Sequence, residues 1–246
     1  MRVACVGDSL TNKYPKLLQR MLRGADVRGY SAGCTSVLAE PRCAARGCGC
    51  GSFLATDAYD DALAWQPDVF VVQFGTSDAG RPWVPGWADE FERGFVDFVE
   101  MLNASIVVVR PPPLFGDGGR NTTTTNVLYK ESFANIVDKT HALFVDGFSA
   151  LEGRRRDFGD DGVHPTCSGA AKLAEAVRNV LVENFQGVEK RRANHLCPVN
   201  FANKCANGHY ECVHVGFAAA LVFLSLVVCA IVVLLAPECA PEEAEK

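Results

Sequence analysis

The chain has 246 residues, 48% of them hydrophobic and 22% charged, with a formal net charge of −5. That length holds one large domain or two small ones, and the acidic balance argues against nucleic acid as a partner. Basic residues cluster only locally, at Arg154-Arg155-Arg156 and Lys190-Arg191-Arg192, and such runs usually make a solvated face.

The chain opens on Arg2-Val-Ala-Cys-Val, an apolar run that ends at Gly7-Asp8-Ser9. It reads as a buried strand, and Asn12 to Arg23 after it as a helix, with Leu17, Leu18, Met21 and Leu22 at helical spacing. A serine between a strand's carboxyl end and a helix is well placed for a nucleophile. Taken alone, Asp8-Ser9 reads better as a helix cap. Gly24 closes the helix, Ala25 to Tyr30 is a second strand, and Ser31 to Ser36 is a loop of small residues.

Glu40 to Ser52 is rich in Gly and Cys without apolar period, so it reads as an excursion from the core. Its Cys43-x4-Cys48-x-Cys50 spacing fits no standard zinc pattern, and neither a metal nor another cofactor is expected. Asp57 to Trp65 suits a short helix. Val69 to Phe74 is a run expected of a strand buried on both faces, and it empties into Gly75-Thr76-Ser77-Asp78. Arg81 to Trp87 is a Pro-rich loop whose Trp83 and Trp87 can stack on a substrate or simply pack.

Ala88 to Asn103 has helical period, Ile106 to Val109 is a fourth strand, and Pro111-Pro112-Pro113 ends it. Asn126 to Thr140 is a helix and Leu143 to Val145 a fifth strand. A long connection then carries Asp160-Asp161-Gly-Val-His164-Pro165 into a closing helix from Cys167 to Phe185. Strands alternating with helices imply right-handed crossovers and a parallel sheet. The expected fold is a three-layer, flavodoxin-like α/β sandwich with a central parallel sheet of about five strands.

Beyond the sandwich, Val215 to Ala236 is an uncharged apolar stretch. At ~1.5 Å per residue it can cross a ~30 Å hydrocarbon layer as a transmembrane helix. The expected organisation is a domain over 1–187, a Cys-containing juxtamembrane linker over 188–214, a single-pass anchor over 215–236 and an acidic tail over 237–246. Charge bias places the large domain in the cytosol. Eleven cysteines and the sequons at Asn103 and Asn121 pull towards a luminal or extracellular domain, which would require a signal peptide before Met1. The oligomeric state stays open.

In a parallel sheet all carboxyl ends open on one side, so Ser9, Gly33, Ser77, Asp161 and His164 can converge there. Gly7-Asp8-Ser9-Leu10-Thr11, Ala32-Gly33-Cys34-Thr35, Gly75-Thr76-Ser77-Asp78 and Asp161-Gly-Val-His164-Pro165 together resemble the four blocks of the SGNH hydrolases, also called GDSL esterases and lipases. The resemblance spans roughly Met1 to Gly187. It implies that Ser9 is the nucleophile, His164 the general base and Asp161 its orienting carboxylate. It also implies an oxyanion hole built from the N–H groups of Ser9 and Gly33 with a contribution from Ser77. Asp8, Trp83 and Trp87 are candidate substrate contacts.

Ser77 departs from the family's asparagine, and a lost oxyanion donor typically costs ~10²–10³ in turnover. Tyr14-Pro15-x-x-Leu18-Gln19, Pro67-Asp68-Val69 and Trp87 resemble the family's carbohydrate O-acetylesterase-like members. The resemblance implies hydrolysis of short acyl esters, acetyl on carbohydrates, by a membrane-anchored serine esterase acting on a small-molecule or glycan ester. A lysophospholipase or thioesterase of the same family and a non-catalytic binding protein are the alternatives.

Overall fold

The computed structural model of the chain describes residues 1–39, 51–80, 86–116 and 120–190. The apolar runs become five strands: β1 Arg2–Gly7, β2 Asp26–Ser31, β3 Val69–Gln73, β4 Ser105–Arg110 and β5 Leu143–Asp146. All pair in parallel, in the order β2-β1-β3-β4-β5. The chain therefore starts mid-sheet, adds β2 on one side, and returns to add β3 to β5 on the other. This reversal at β1 is the kind of switch point where open α/β sheets hold ligands. Register sharpens it: Gly7 lies opposite Ser31 on one neighbour and Gln73 on the other. The loops after β1, β2 and β3 thus leave the sheet at one level.

Side chains alternate across each strand, and both faces of the sheet are apolar. Ala4, Val6, Phe70, Val72 and Val108 meet one set of helices, α2 Asp57–Ala64, α3 Trp87–Glu100 and α4 Tyr129–Thr140. Val3, Cys5, Val71, Val107 and Val109 meet α1 Tyr14–Met21 and α6 Cys167–Asn184; a single-turn helix, α5 Gly147–Leu151, follows β5. The expected three layers and five parallel strands are present. The first face is unusually aromatic, with Phe53, Phe74, Phe91, Phe95, Phe98 and Phe133 all buried. Each contributes at most ~1.5–3 kcal/mol relative to exposure.

Several boundaries differ from expectation. The helix expected over Asn12 to Arg23 is a 3-10 turn, Ser9–Asn12, and then α1, whose start is set by Pro15 in its first turn. Its expected last residues, Leu22–Arg23, are extended instead, because they pair antiparallel with Glu189–Lys190. The expected helix over Asn126 to Thr140 opens on a π-helical turn, Thr124–Leu128. Among the described residues no helix is long and apolar enough to cross a membrane. The anchor expected over 215–236, the acidic tail, and nearly all of the linker lie outside the described residues.

Candidate active site

The site begins where β1 cannot tolerate a side chain. A Cβ on Gly7 would lie 2.1 Å from Thr11 Oγ1 and 2.3 Å from the Gln73 carbonyl. The chain then bends into the 3-10 turn, with Asp8 as its cap: Leu10 N donates to Asp8 Oδ1 at 3.0 Å. The second oxygen of Asp8 accepts from Ser77 N at 3.2 Å, tying the β1 loop to the β3 loop. Asp8 is 1% exposed, and both its oxygens are committed to backbone. It therefore ties two loops together from a buried position, where the sequence suggested a substrate contact. Burial raises its pKa, opposed by the two backbone donors and by the charges of Arg120 and His164.

Ser9, the first residue of the turn, is half-buried. Its Oγ lies 2.9 Å from His164 Nε2, and His164 Nδ1 lies 2.5 Å from Asp161 Oδ2. A carboxylate on Nδ1 holds the imidazole proton on that side, which leaves Nε2 to accept from the serine hydroxyl. Asp161 is fixed by its own turn, since its Oδ1 accepts from Val163 N and His164 N at 2.9 and 3.0 Å. Burial alone would raise the Asp161 pKa. The bonds from His164 Nδ1 and from those two backbone amides outweigh it and hold the carboxyl down to about 2. It is ionised at any pH where the serine could react.

The turn carrying this pair is locked from outside. Gly159 N donates to the His164 carbonyl at 2.9 Å and Phe115 N to that of Gly162 at 2.8 Å. Gly162 has φ +66°, and a Cβ there would stand 2.6 Å from Gly116 N, so only glycine fits both the angle and the space. Beneath the dyad sits a small apolar cluster of Leu10, Leu114 and Val163. These are the neighbour of Ser9, the neighbour of His164, and a residue from the loop after β4. Asn126 holds that loop like a strand partner, accepting from Leu114 N and donating to the Leu114 carbonyl, both at 2.9 Å.

The loops after β2 and β3 flank Ser9. Gly33 is exposed, with open space around its Cα. Its turn is shaped by Thr35 Oγ1 donating to the Ala32 carbonyl at 2.7 Å. The adjacent Cys34 has φ +61°, a sparsely populated angle for a side-chain-bearing residue, and it is disulfide-bonded, as is Cys167 three residues after His164. Ser36 Oγ donates to Asp78 Oδ1, linking the β2 loop to the β3 loop. Desolvation pushes the fully buried Asp78 up to about 7, with the nearby charge of Asp8 adding to it and the Ser36 bond opposing it. Tyr129 Oη donates to the Gly75 carbonyl at 2.6 Å and fixes the start of the β3 loop. Ser77 is 3% exposed and its hydroxyl is buried.

The structure thus joins Ser9, His164 and Asp161 in one line of hydrogen bonds and sets Gly33 and Ser77 in the two neighbouring loops. Trp87 stands elsewhere. It is 3% exposed and stacks on Phe91 at 5.2 Å between centroids, so it belongs to the aromatic core and not to the cleft. Trp83 lies outside the described residues. Leu114 and Asn126 escaped the sequence reading. Leu114 had a signal, an apolar residue directly after the proline run, whereas nothing local marks Asn126. Among the described residues no group of three His, Cys, Asp or Glu side chains is placed to hold a metal ion.

A family model described as GDSL-like Lipase/Acylhydrolase matches residues 5–172. An acetylxylan esterase of Xylanibacter ruminicola is 25% identical over 220 residues, covering 72% of this chain. The chain spans 42% of that relative's length. Among solved structures, an acetylxylan esterase from Geobacillus stearothermophilus superposes with a TM-score of 0.53 at 21% identity, over 77% of this chain and 97% of the other. A protein of Slackia heliotrinireducens assigned to the SGNH hydrolases gives 0.55 at 20% identity, over 74% and 98%. These superpositions share the fold.

Proposed function

The chain belongs to the GDSL-like lipase/acylhydrolase family of carboxylic ester hydrolases, and from that premise we propose that it is a serine esterase removing short acyl groups, acetyl above all, from carbohydrates. The observation that carries this reading is the unbroken line Ser9 Oγ, His164 Nε2, His164 Nδ1, Asp161 Oδ2. In the proposed reaction Ser9 Oγ attacks the acyl carbon while its proton passes to His164 Nε2. Asp161 stabilises the imidazolium that forms. The oxyanion is met by the backbone N–H groups of Ser9 and Gly33, with a weaker contribution from Ser77, whose hydroxyl is shorter and less fixed than the family's asparagine amide. Collapse expels the sugar alkoxide, which takes the proton from His164. Water, activated by the same imidazole, then frees acetate and Ser9.

The acetyl-carbohydrate preference is supported by the acetylxylan esterases to which the chain is similar. The test is acetate release from acetylated xylo-oligosaccharides by the purified full-length protein, beside 4-nitrophenyl acetate and octanoate. Release of acetate, lost in Ser9→Ala, is the expected result. Faster turnover of the octanoyl ester than of either acetyl substrate would sink the preference.

The apolar stretch 215–236 is read as a single membrane anchor. For the domain itself, disulfides at Cys34 and Cys167 favour an oxidising compartment, and Asn103 is exposed, as a glycan acceptor must be. We therefore favour the luminal or extracellular placement over the cytosolic one suggested by charge bias. A protease-protection assay on intact vesicles decides it: cleavage of the domain without detergent would support a cytosolic face.

A further inference from the structure

The run Arg154-Arg155-Arg156 looks like a solvated face in the sequence, and all three residues are exposed. Arg155 nonetheless has a specific task. Its Nη1 donates to the carbonyls of Phe158 at 3.3 Å and Gly159 at 2.8 Å, and its Nη2 to that of Asp160 at 3.1 Å. These are three successive carbonyls at the entry to the turn carrying Asp161 and His164. A second cation grips the exit. Lys13 Nζ donates to the Pro165 carbonyl at 2.9 Å, and Lys13 immediately follows the 3-10 turn that begins at Ser9. The two grips act on one object, because Phe158 pairs with Pro165 as an antiparallel bridge.

We propose that Arg155 and Lys13 are positioning residues that shape the base-bearing turn and set it against Ser9. The proposal rests on reading His164 as the general base. The physical need is clear from exposure. The side chains of His164 and Asp161 are 40% and 45% exposed, so the turn has little apolar surface with which to anchor itself. Val163 is the residue between them that reaches buried apolar contacts. Charge-assisted hydrogen bonds to main-chain carbonyls hold such a turn without covering it. The planar guanidinium fork matches three carbonyls presented side by side, which a lysine ammonium does not. Lys13 has a single carbonyl to hold, and a flexible point charge suffices.

The test uses the purified full-length protein and its variants Arg155→Ala, Arg155→Lys and Lys13→Met, with kcat and KM on 4-nitrophenyl acetate and thermal unfolding measured side by side. Because a small displacement of a catalytic group costs up to ~10², Arg155→Ala is expected to lower kcat by about tenfold or more while KM stays within about twofold. Millimolar guanidinium restores turnover in Arg155→Ala, ammonium does not, and neither affects Lys13→Met. Arg155→Lys lies between the wild type and Arg155→Ala. The second readout needs no turnover: the strongly deshielded imidazole proton shared by His164 and Asp161, seen by NMR, shifts or broadens in Arg155→Ala. An unmoved imidazole resonance, or a loss of kcat that guanidinium leaves in place, overturns the proposal. Should the wild type show no Ser9-dependent hydrolysis, the esterase reading fails, and the imidazole resonance still decides what Arg155 does.

Discussion

On one side of Ser9 stand Asp161 and His164, whose side chains are 45% and 40% exposed. On the other stand Asp8, Ser36 and Asp78, each 1% exposed or less. The base side is a surface turn whose geometry comes from hydrogen bonds within and across the turn, and its carboxyl is held down to about 2. The side proposed to hold the oxyanion is a set of three strand-end loops tied together by two buried carboxyl groups, one pushed up to about 7. Proton transfer needs a charge with hydrogen-bonded support and room for the leaving group. An oxyanion hole needs donors that do not move, and burial supplies that rigidity. In the proposed reading one end of the sheet meets both demands, with an exposed turn for the base and buried ties that hold the loops bearing the oxyanion donors.

Breaking the line from Ser9 through His164 to the base-side carboxylate is expected to remove most activity. Ser9→Ala is expected to abolish hydrolysis, a loss of at least ~10⁴ in kcat, with the fold retained by circular dichroism. Asp161→Asn keeps the shape of the turn and is expected to cost about 10³–10⁴ in kcat, because the imidazole loses the carboxylate that fixes its tautomer. On the oxyanion side Asp8→Asn turns an amide donor towards Leu10 N or Ser77 N. One loop tie is lost, and kcat on 4-nitrophenyl acetate should fall about 10–100-fold, less than for either change on the base side.

Stability against pH separates the two sides by sign. The folded-state pKa of Asp161 lies below the unfolded value of about 3.9. Its contribution is therefore complete above that value and is lost as pH falls towards about 2. Asp78 is the reverse case. Its folded pKa is raised, so the native state binds more protons between about 3.9 and 7, and stability falls as pH rises through that window. Melting curves of wild type, Asp161→Asn and Asp78→Asn across pH should show the first gap closing in acid. Asp78→Asn should gain on wild type up to about pH 7. Parallel curves for Asp78→Asn at all pH values would contradict the buried-carboxyl account. The smallest effect is expected at Ser77. Ser77→Ala should lower kcat by less than about tenfold, below the ~10²–10³ that removing a working oxyanion donor costs.

What the sequence revealed follows the same division. β1 and β3 are legible because strands buried on both faces must be apolar throughout, as Val69–Gln73 nearly is. Ser9, Asp161 and His164 are legible because each sits in a compact block at a strand end or before the last helix. The supporting parts are harder to see. Asn126 imitates a strand partner for Leu114 across twelve residues, and Arg155 reads as one more surface arginine; each acts through main-chain groups, which leave no trace in side-chain pattern. Trp87 misled for a different reason. A tryptophan after a Pro-rich loop resembles a cleft residue, but Trp87, Phe91, Phe95 and Phe98 share one helical face, and that face is core. The early end of the first helix reflects tertiary pairing, since Leu22–Arg23 becomes extended to meet Glu189–Lys190.

The most direct test of the account is to trap the acyl-enzyme. Full-length protein is mixed with 4-nitrophenyl acetate, quenched in acid during the first turnover, digested and analysed by mass spectrometry. The account predicts an acetyl increment on the peptide containing Ser9, absent in Ser9→Ala and accumulating more slowly in Asp161→Asn. Acetate release from a protein whose Ser9 peptide never carries the increment would contradict it.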